Sequence, residues 1–456
     1  MRILSIRIVS ESLEALLAAV LLSAFSLFSA PAWAQDGLRI EQWSTPTGAR
    51  VLFVRSPSIP MLDINVDFDA GSRFDPPQKA GLASMTVALM AKGISPTGGK
   101  AMNESEIAEA YASLGAQRGG GASDDRSSIS LRTLTSQAEL DAAIELTANT
   151  MAYPDFPAAV VSREKERVLS GLKEAESKPE TIVSRTFNQL AFGKHPYGVD
   201  ASSASIAGID RQDMATFHRQ YFRAERAVVA MIGALSRPQA EAIAERLTRA
   251  LPKTGAAPTA MVFEPITRPL QSIDRRIEHP ASQSHILIGA PAIARGDPDF
   301  FPLLVGNYVL GGGGFVSRLY NEVREQRGLA YSVYSGFAPA RDPGAFTIGL
   351  QTQREKTAES LQVVRDTLQK FLRDGPTPDE LAAAKSNMVG GFPLRIDSNR
   401  KILDNLAVIG FFRLPIDYLD TWTSKVESVT LESVRAAFAR HVSLDRLITV
   451  VVGAGS

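Results

Sequence analysis

Over positions 62–68 the chain alternates: Asp63, Asn65 and Asp67 interleave with Ile64, Val66 and Phe68. A period of two predicts a half-buried strand. Further strands are expected over 51–54, 127–134 and 227–232, and helices over 80–91, 104–114, 137–151, 158–175 and 237–250. Asn103 with Glu106 has the spacing of a capping box, and Gly115 is a helix stop. The later part of the chain repeats this mixture, with strands near 284–290, 330–336, 344–351 and 447–452 and a long helix over 355–373. In the strand at 330–336, alternation would put Tyr331 and Val333 on one face and Ser332 and Tyr334 on the other. Strands and helices in such clusters predict α+β sandwich layers, with helices packed on one sheet face.

The two parts share one plan. Residues 217–234 read FHRQYFRAERAVVAMIGA and residues 438–454 read FARHVSLDRLITVVVGA. Each runs from a helix end through a turn to an Arg, an apolar strand and Gly-Ala. An offset of about 220 positions also relates Lys165 to Lys385 and Gly171 to Gly391, the trace that duplication leaves. Residues 252–272 carry four prolines and little periodicity, which marks a linker. The expected organisation is a leader over 1–34, a first domain over 35–251, the linker, and a second domain over 273–456.

Two segments carry the chemistry. Residues 311–335 read GGGGFVSRLYNEVREQRGLAYSVYS, with Arg324 and Tyr331 seven positions apart. A helix over about 317–327 would bury Leu319 and Val323 and end at Gly328. On these residues alone, Arg324 could simply complement the helix C-terminal dipole, and Tyr331 could be an ordinary sheet aromatic. Gly311–Gly314 lacks the GK[ST] of a phosphate-binding loop and is read as a mobile loop that allows close backbone approach. Residues 81–93 read GLASMTVALMAKG.

The run 311–335 closely resembles the second-domain signature of the pitrilysin-type M16 zinc peptidases, where such an Arg and Tyr hold the scissile peptide. The run 81–93 resembles that family's metal-binding helix, but Ser84, Val87 and Ala88 stand where the His, Glu and His of HxxEH belong. The third ligand would fall in EKERVLSG, on Gly171 or on Glu164. His195-Pro196-Tyr197-Gly198 matches a turn common in the family. The resemblance implies two homologous α+β sandwich domains, an M16 clamshell half of the LuxS/MPP-like metallohydrolase fold. A catalytic zinc needs three protein ligands and an open position; Ser, Val and Ala cannot supply them. The five His residues include no HxxxH pair, and there is no Cys. No metal is therefore expected on this chain.

Composition narrows the partners. Forty-nine basic and forty-nine acidic residues give a formal net charge of zero, which disfavours a general nucleic-acid binder. Arg2 and Arg7, an apolar core over 16–28 and Ala32-Trp33-Ala34 read as a cleavable secretory signal. They predict a periplasmic protein with no membrane anchor after cleavage. Asp124, Asp125 and Arg126 read as solvated, Gly119–Gly121 as a turn before the strand at 127, and His195 as structural. The resemblance as a whole implies the non-zinc subunit of a heterodimer. An HxxEH-bearing partner would supply zinc and base, while Arg324 and Tyr331 would grip a peptide or unfolded polypeptide. The alternative is a catalytically inactive peptide-binding or scaffold protein of the same fold.

Overall fold

A computed structural model describes residues 38–253 and 261–453; the leader expected over 1–34 lies outside them. Ile40–Ser456 form one compact unit. Its strands are β1 (Ile40–Ser44), β2 (Arg50–Arg55), β3 (Met61–Phe68), β4 (Gly93–Ile94), β5 (Met102–Asn103), β6 (Gln117–Ala122), β7 (Ser127–Leu134), β8 (Ala227–Gly233), β9 (Ile273–Ile277), β10 (Gln283–Ile293), β11 (Ala330–Phe337), β12 (Gly344–Gln353) and β13 (Ile448–Val452). The first large sheet has the order β1-β2-β8-β3-β7-β6, and the second β11-β12-β10-β13-β9. With β1 set aside, the two orders are the same. In each, one parallel pair, β2 with β8 and β9 with β13, sits in an otherwise antiparallel sheet. Among the described residues no helix is long and apolar enough to cross a membrane.

The duplication predicted from sequence extends through the helices. Pro179–Phe192 and Asn399–Phe412 are both 14 residues long, and Arg211–Tyr221 and Leu431–His441 are both 11. Each pair is about 220 positions apart. Asn103 accepts a hydrogen bond from the Glu106 N–H while the Glu106 carboxylate accepts one from the Asn103 N–H, the expected capping box.

One face of the first sheet packs on its own helices. Ile64, Val66, Phe68, Val229 and Met231 meet residues of Leu82–Leu89, Gln137–Ala152 and Arg211–Tyr221 in one core. The other face is covered from the second half, by the helix Asn399–Phe412 lying across β8, β3 and β2. The exchange is reciprocal. The helix Pro179–Phe192 of the first half crosses β13 and β10, where Val183, Phe187 and Ala191 pack against Ile448, Val450 and Val452. The central strands of both sheets are therefore buried on both faces, and β3 is not the half-buried strand its alternation predicts. Asp63 and Asp67 are buried and paired, Asp63 with Arg132 at 2.6 Å and Asp67 with Arg126 at 2.7 Å. Arg126 and Asp125 are thus not the solvated residues the sequence suggested. Gly410 is required at the crossing: a Cβ there would stand 2.5 Å from Val228 and 2.8 Å from Leu52.

A polar cluster also joins the halves. Asp125 accepts hydrogen bonds from the Tyr197 hydroxyl at 2.5 Å and the Arg341 backbone N–H at 2.8 Å. Arg73 lies 3.4 Å from both Asp125 and Asp342. His195 Nε2 also lies 3.4 Å from Asp342, within ion-pair range but without hydrogen-bond geometry. The turn His195–Gly198 is thus structural, as expected, and its place is at the seam.

Buried His218 is stacked on Phe222, and its Nε2–H donates to the Met151 carbonyl at 2.7 Å. Burial pulls its pKa down to about 4. The unfolded chain, with an ordinary value near 6.5, takes up this proton first as pH falls. Stability from this site is fully present above about pH 6.5 and is lost as pH drops toward about 4, by about 3 kcal/mol in all. In urea denaturation, the stability difference between the wild type and His218→Gln should shrink by about this amount between pH 7 and pH 4.

Candidate functional site

The segment Asn307–Phe337 builds the candidate site from a widened helix and an edge strand. The helix Phe300–Asn307 continues as a π-helical turn, Tyr308–Gly312. After a short 3₁₀ turn, Arg318–Tyr320 leads into a second π-helical turn, Asn321–Glu325. Gly328, at φ +61°, ends it; its N–H donates to the Arg324 carbonyl at 2.9 Å, and the Leu329 N–H donates to that of Val323 at 2.9 Å. π-Helical turns of this kind often accompany functional sites. Leu319 and Val323 are buried, as their spacing predicts.

The glycine run is a packing device and not the mobile loop expected. A Cβ on Gly311 would stand 2.4 Å from Ser335 Oγ and 2.8 Å from Leu319; one on Gly312, 2.5 Å from the Asn307 side chain. Only hydrogens fit there. The helix consequently closes on β11, where Ser335 donates to Asn307 at 2.7 Å and Asn307 donates back to the Ser335 carbonyl at 3.0 Å.

Arg324 and Tyr331 are brought together. The Arg324 guanidinium lies 4.9 Å from the centre of the Tyr320 ring and 4.7 Å from that of Tyr331, and it donates to the Tyr320 hydroxyl. It is therefore held between two aromatic faces, with Tyr320 buried and Tyr331 81% exposed. β11 is the outer strand of its sheet. Its register against β12 shifts between Ala330 and Val333, a bulge at Tyr331–Ser332. The bulge overturns the expected alternation: Val333 points into the core, whereas Tyr331 and Ser332 both face solvent. The Tyr331 hydroxyl forms no hydrogen bond among the described residues and is free to donate. Phe315, Val316 and Tyr334 are exposed nearby in the same segment.

Tyr320 went unnoticed in the sequence, although it stands one helical turn before Arg324 and such pairs meet on a helix surface. The bulge left no sequence signal.

In the first half, Ser84 and Ala88 lie exposed on the helix Leu82–Leu89, one turn apart, and Val87 is buried. Glu164 sits on the helix Ala158–Ala175, close enough to Lys92, one turn beyond Ala88, for the two charges to interact. Hydrogen bonds from Arg167 and Arg163 hold its carboxyl below the ordinary range. Gly171 is exposed two turns further along that helix and offers no donor. Glu164 is thus a carboxylate near the helix that carries Ser84 and Ala88. Among the described residues, only Asp297, Asp299 and His441 gather three possible ligand atoms within 4.8 Å. There His441 Nε2 is taken up by Asp299 at 2.9 Å, and Arg440 pairs with the same carboxylate at 2.6 Å. The Asp299 carboxylate is thus already taken up by protein donors. The edge strand β6 contains Gly119–Gly121, which are strand residues and not the turn expected.

Two sandwich halves with exchanged helices, an Arg–Tyr pair at a sheet edge and, among the described residues, no clear metal site fit a peptidase-like fold that lacks catalytic ligands. Comparison with known proteins gives the same answer. Residues 50–203 match the family model described as Insulinase (Peptidase family M16), and residues 208–388 match that described as Peptidase M16 inactive domain. A solved structure of a peptidase M16 inactive domain from Pseudomonas fluorescens is 36% identical, with a TM-score of 0.86, over 92% of this chain and 98% of that one. An uncharacterized zinc protease of Mycobacterium bovis is 28% identical over 93% of this chain and 95% of its own length. A protein of Helicobacter pylori named as a non-peptidase homolog is 26% identical over 88% and 91%. The chain belongs to the M16 peptidase family.

The position of Glu164 generates a test. The wild-type chain should retain no stoichiometric zinc after dialysis. The double variant Ser84→His/Ala88→His, which leaves buried Val87 untouched, should bind one equivalent by elemental analysis. Adding Glu164→Gln should weaken that binding at least about tenfold, as loss of one ligand from a three-ligand site does.

Proposed function

We propose that this chain is the non-zinc subunit of a heterodimeric M16 metallopeptidase of the bacterial periplasm. The observation that carries this reading is an asymmetry between two sites. The Arg324–Tyr331 pair is preorganised, with the Tyr331 ring exposed and its hydroxyl unpaired among the described residues, while the helix carrying Ser84, Val87 and Ala88 has nothing with which to hold a metal or activate water. In this reading a partner chain bearing HxxEH supplies the zinc and the general base. Peptide hydrolysis puts negative charge on the carbonyl oxygen of a tetrahedral intermediate. The free Tyr331 hydroxyl is a neutral donor suited to that oxygen, and loss of one such donor costs about 3 kcal/mol. Arg324, held between Tyr320 and Tyr331, has a fixed plane from which to donate to a neighbouring substrate carbonyl. The open edges of β6 and β11 support binding of an extended peptide by strand addition.

Mixing this chain with an HxxEH-bearing partner should create peptidase activity that neither has alone. Tyr331→Phe should lower turnover on the order of a hundredfold while the complex still elutes as a heterodimer in gel filtration. Unchanged turnover would remove Tyr331 from the reaction, and chelator-sensitive proteolysis by the isolated chain would overturn the two-chain reading.

A further inference from the structure

A sizeable cleft lies away from the Arg–Tyr pair. It opens where the two halves meet, between β1, β2, the residues leading into β8, and the end of the helix Asn399–Phe412, and its volume is about 760 Å³. That is the size of a small-molecule site. Five guanidinium groups line it, those of Arg50, Arg226, Arg295, Arg341 and Arg413, against the two carboxylates of Asp69 and Glu225.

The carboxylates are already in use. Asp69 lies 3.0 Å from Arg226 and 3.6 Å from Arg341, and Glu225 pairs with Arg223 at 2.5 Å. Three cations are left over. Arg413 makes no side-chain hydrogen bond or ion pair among the described residues. Arg295 stacks on Phe300 and Phe412 and meets no carboxylate, and its buried Nε has no partner. Arg50 donates to the Gly410 carbonyl at 3.3 Å and to Gln42 at 3.0 Å, while its Nε is also buried and unpartnered. Burial, and then the charge of Arg413, pull the Arg50 guanidinium below its ordinary pKa; burial does the same to Arg226 and Arg295. Like charges gathered in a partly desolvated cleft and left without carboxylate partners are costly unless something supplies the anion. Arginine forks match the oxygens of phosphate groups two at a time.

We infer that this cleft is a binding site for a compact polyvalent oxyanion of the pyrophosphate type, held by Arg50, Arg295, Arg341 and Arg413. The ligand would touch β2 and β1 from the first half and Arg341 and the helix end from the second. It would therefore brace the two halves against each other and stabilise the folded chain by mass action. The site stands on its own residues and is independent of the peptidase reading.

Inorganic pyrophosphate titrated into the full chain by isothermal calorimetry, at constant ionic strength, tests it. One saturable site is expected, together with a rise of several degrees in Tm. Arg413→Gly, at a position whose φ of +55° suits glycine, should weaken binding at least about tenfold, as should Arg341→Gln. Absence of saturable binding overturns the inference, and so does binding that neither variant weakens.

Discussion

Neither sheet can be buried by its own half. A strand that is apolar on both faces needs cover on both, and each half of this chain supplies helices for only one face of its own sheet. The second layer comes from the other half: Asn399–Phe412 lies over β8, β3 and β2, and Pro179–Phe192 lies over β13 and β10. The rest follows from that exchange. It explains the buried acid–Arg pairs on β3, the glycine at the crossing, and the buried polar seam of Asp125, Tyr197 and Arg341. It also sets the cleft of arginines at the end of one exchanged helix.

Within this frame the two halves have diverged at equivalent places. Both keep an outer strand at the same end of the sheet order, β6 in one and β11 in the other. Only the second has an Arg held between aromatic rings beside that edge. The first keeps the helix geometry of a metal site, with two exposed positions a turn apart and a carboxylate near the helix, but the side chains are those of a serine and an alanine. The shape is present without the chemistry. That is what a chain would preserve if its surface still had to fit a peptide or another subunit.

Much of this was legible in the sequence. Long amphipathic helices and alternating strands appear within two or three residues of their expected bounds, because burial on one face leaves a clear period. The duplication was legible because an Arg, an apolar strand and a Gly-Ala recur at fixed spacing. The exchange of helices was not: neither Pro179–Phe192 nor Asn399–Phe412 was among the expected helices, and a helix covering a neighbour's sheet has the same pattern as one covering its own. The polar stripe of β3 looked solvent-facing for a related reason: alternation records polarity, and the buried Asp63 and Asp67 satisfy theirs with half-buried arginines. In the candidate site, Arg324 and Tyr331 stood out through the family resemblance of the run 311–335; on their spacing alone both had ordinary structural readings. Their relative placement was missed, because it depends on Gly311 letting a helix close on β11 and on an extra residue in that strand.

That extra residue separates two demands on one strand. Side-chain direction along a strand is a matter of parity, and the offset at Tyr331–Ser332 resets it once. Downstream, Val333 and Ser335 answer to the interior; upstream of the reset, Tyr331 answers to the surroundings. The aromatic can change its aim or identity without asking anything of the packing behind it, and the interior can be repacked without turning the phenol away.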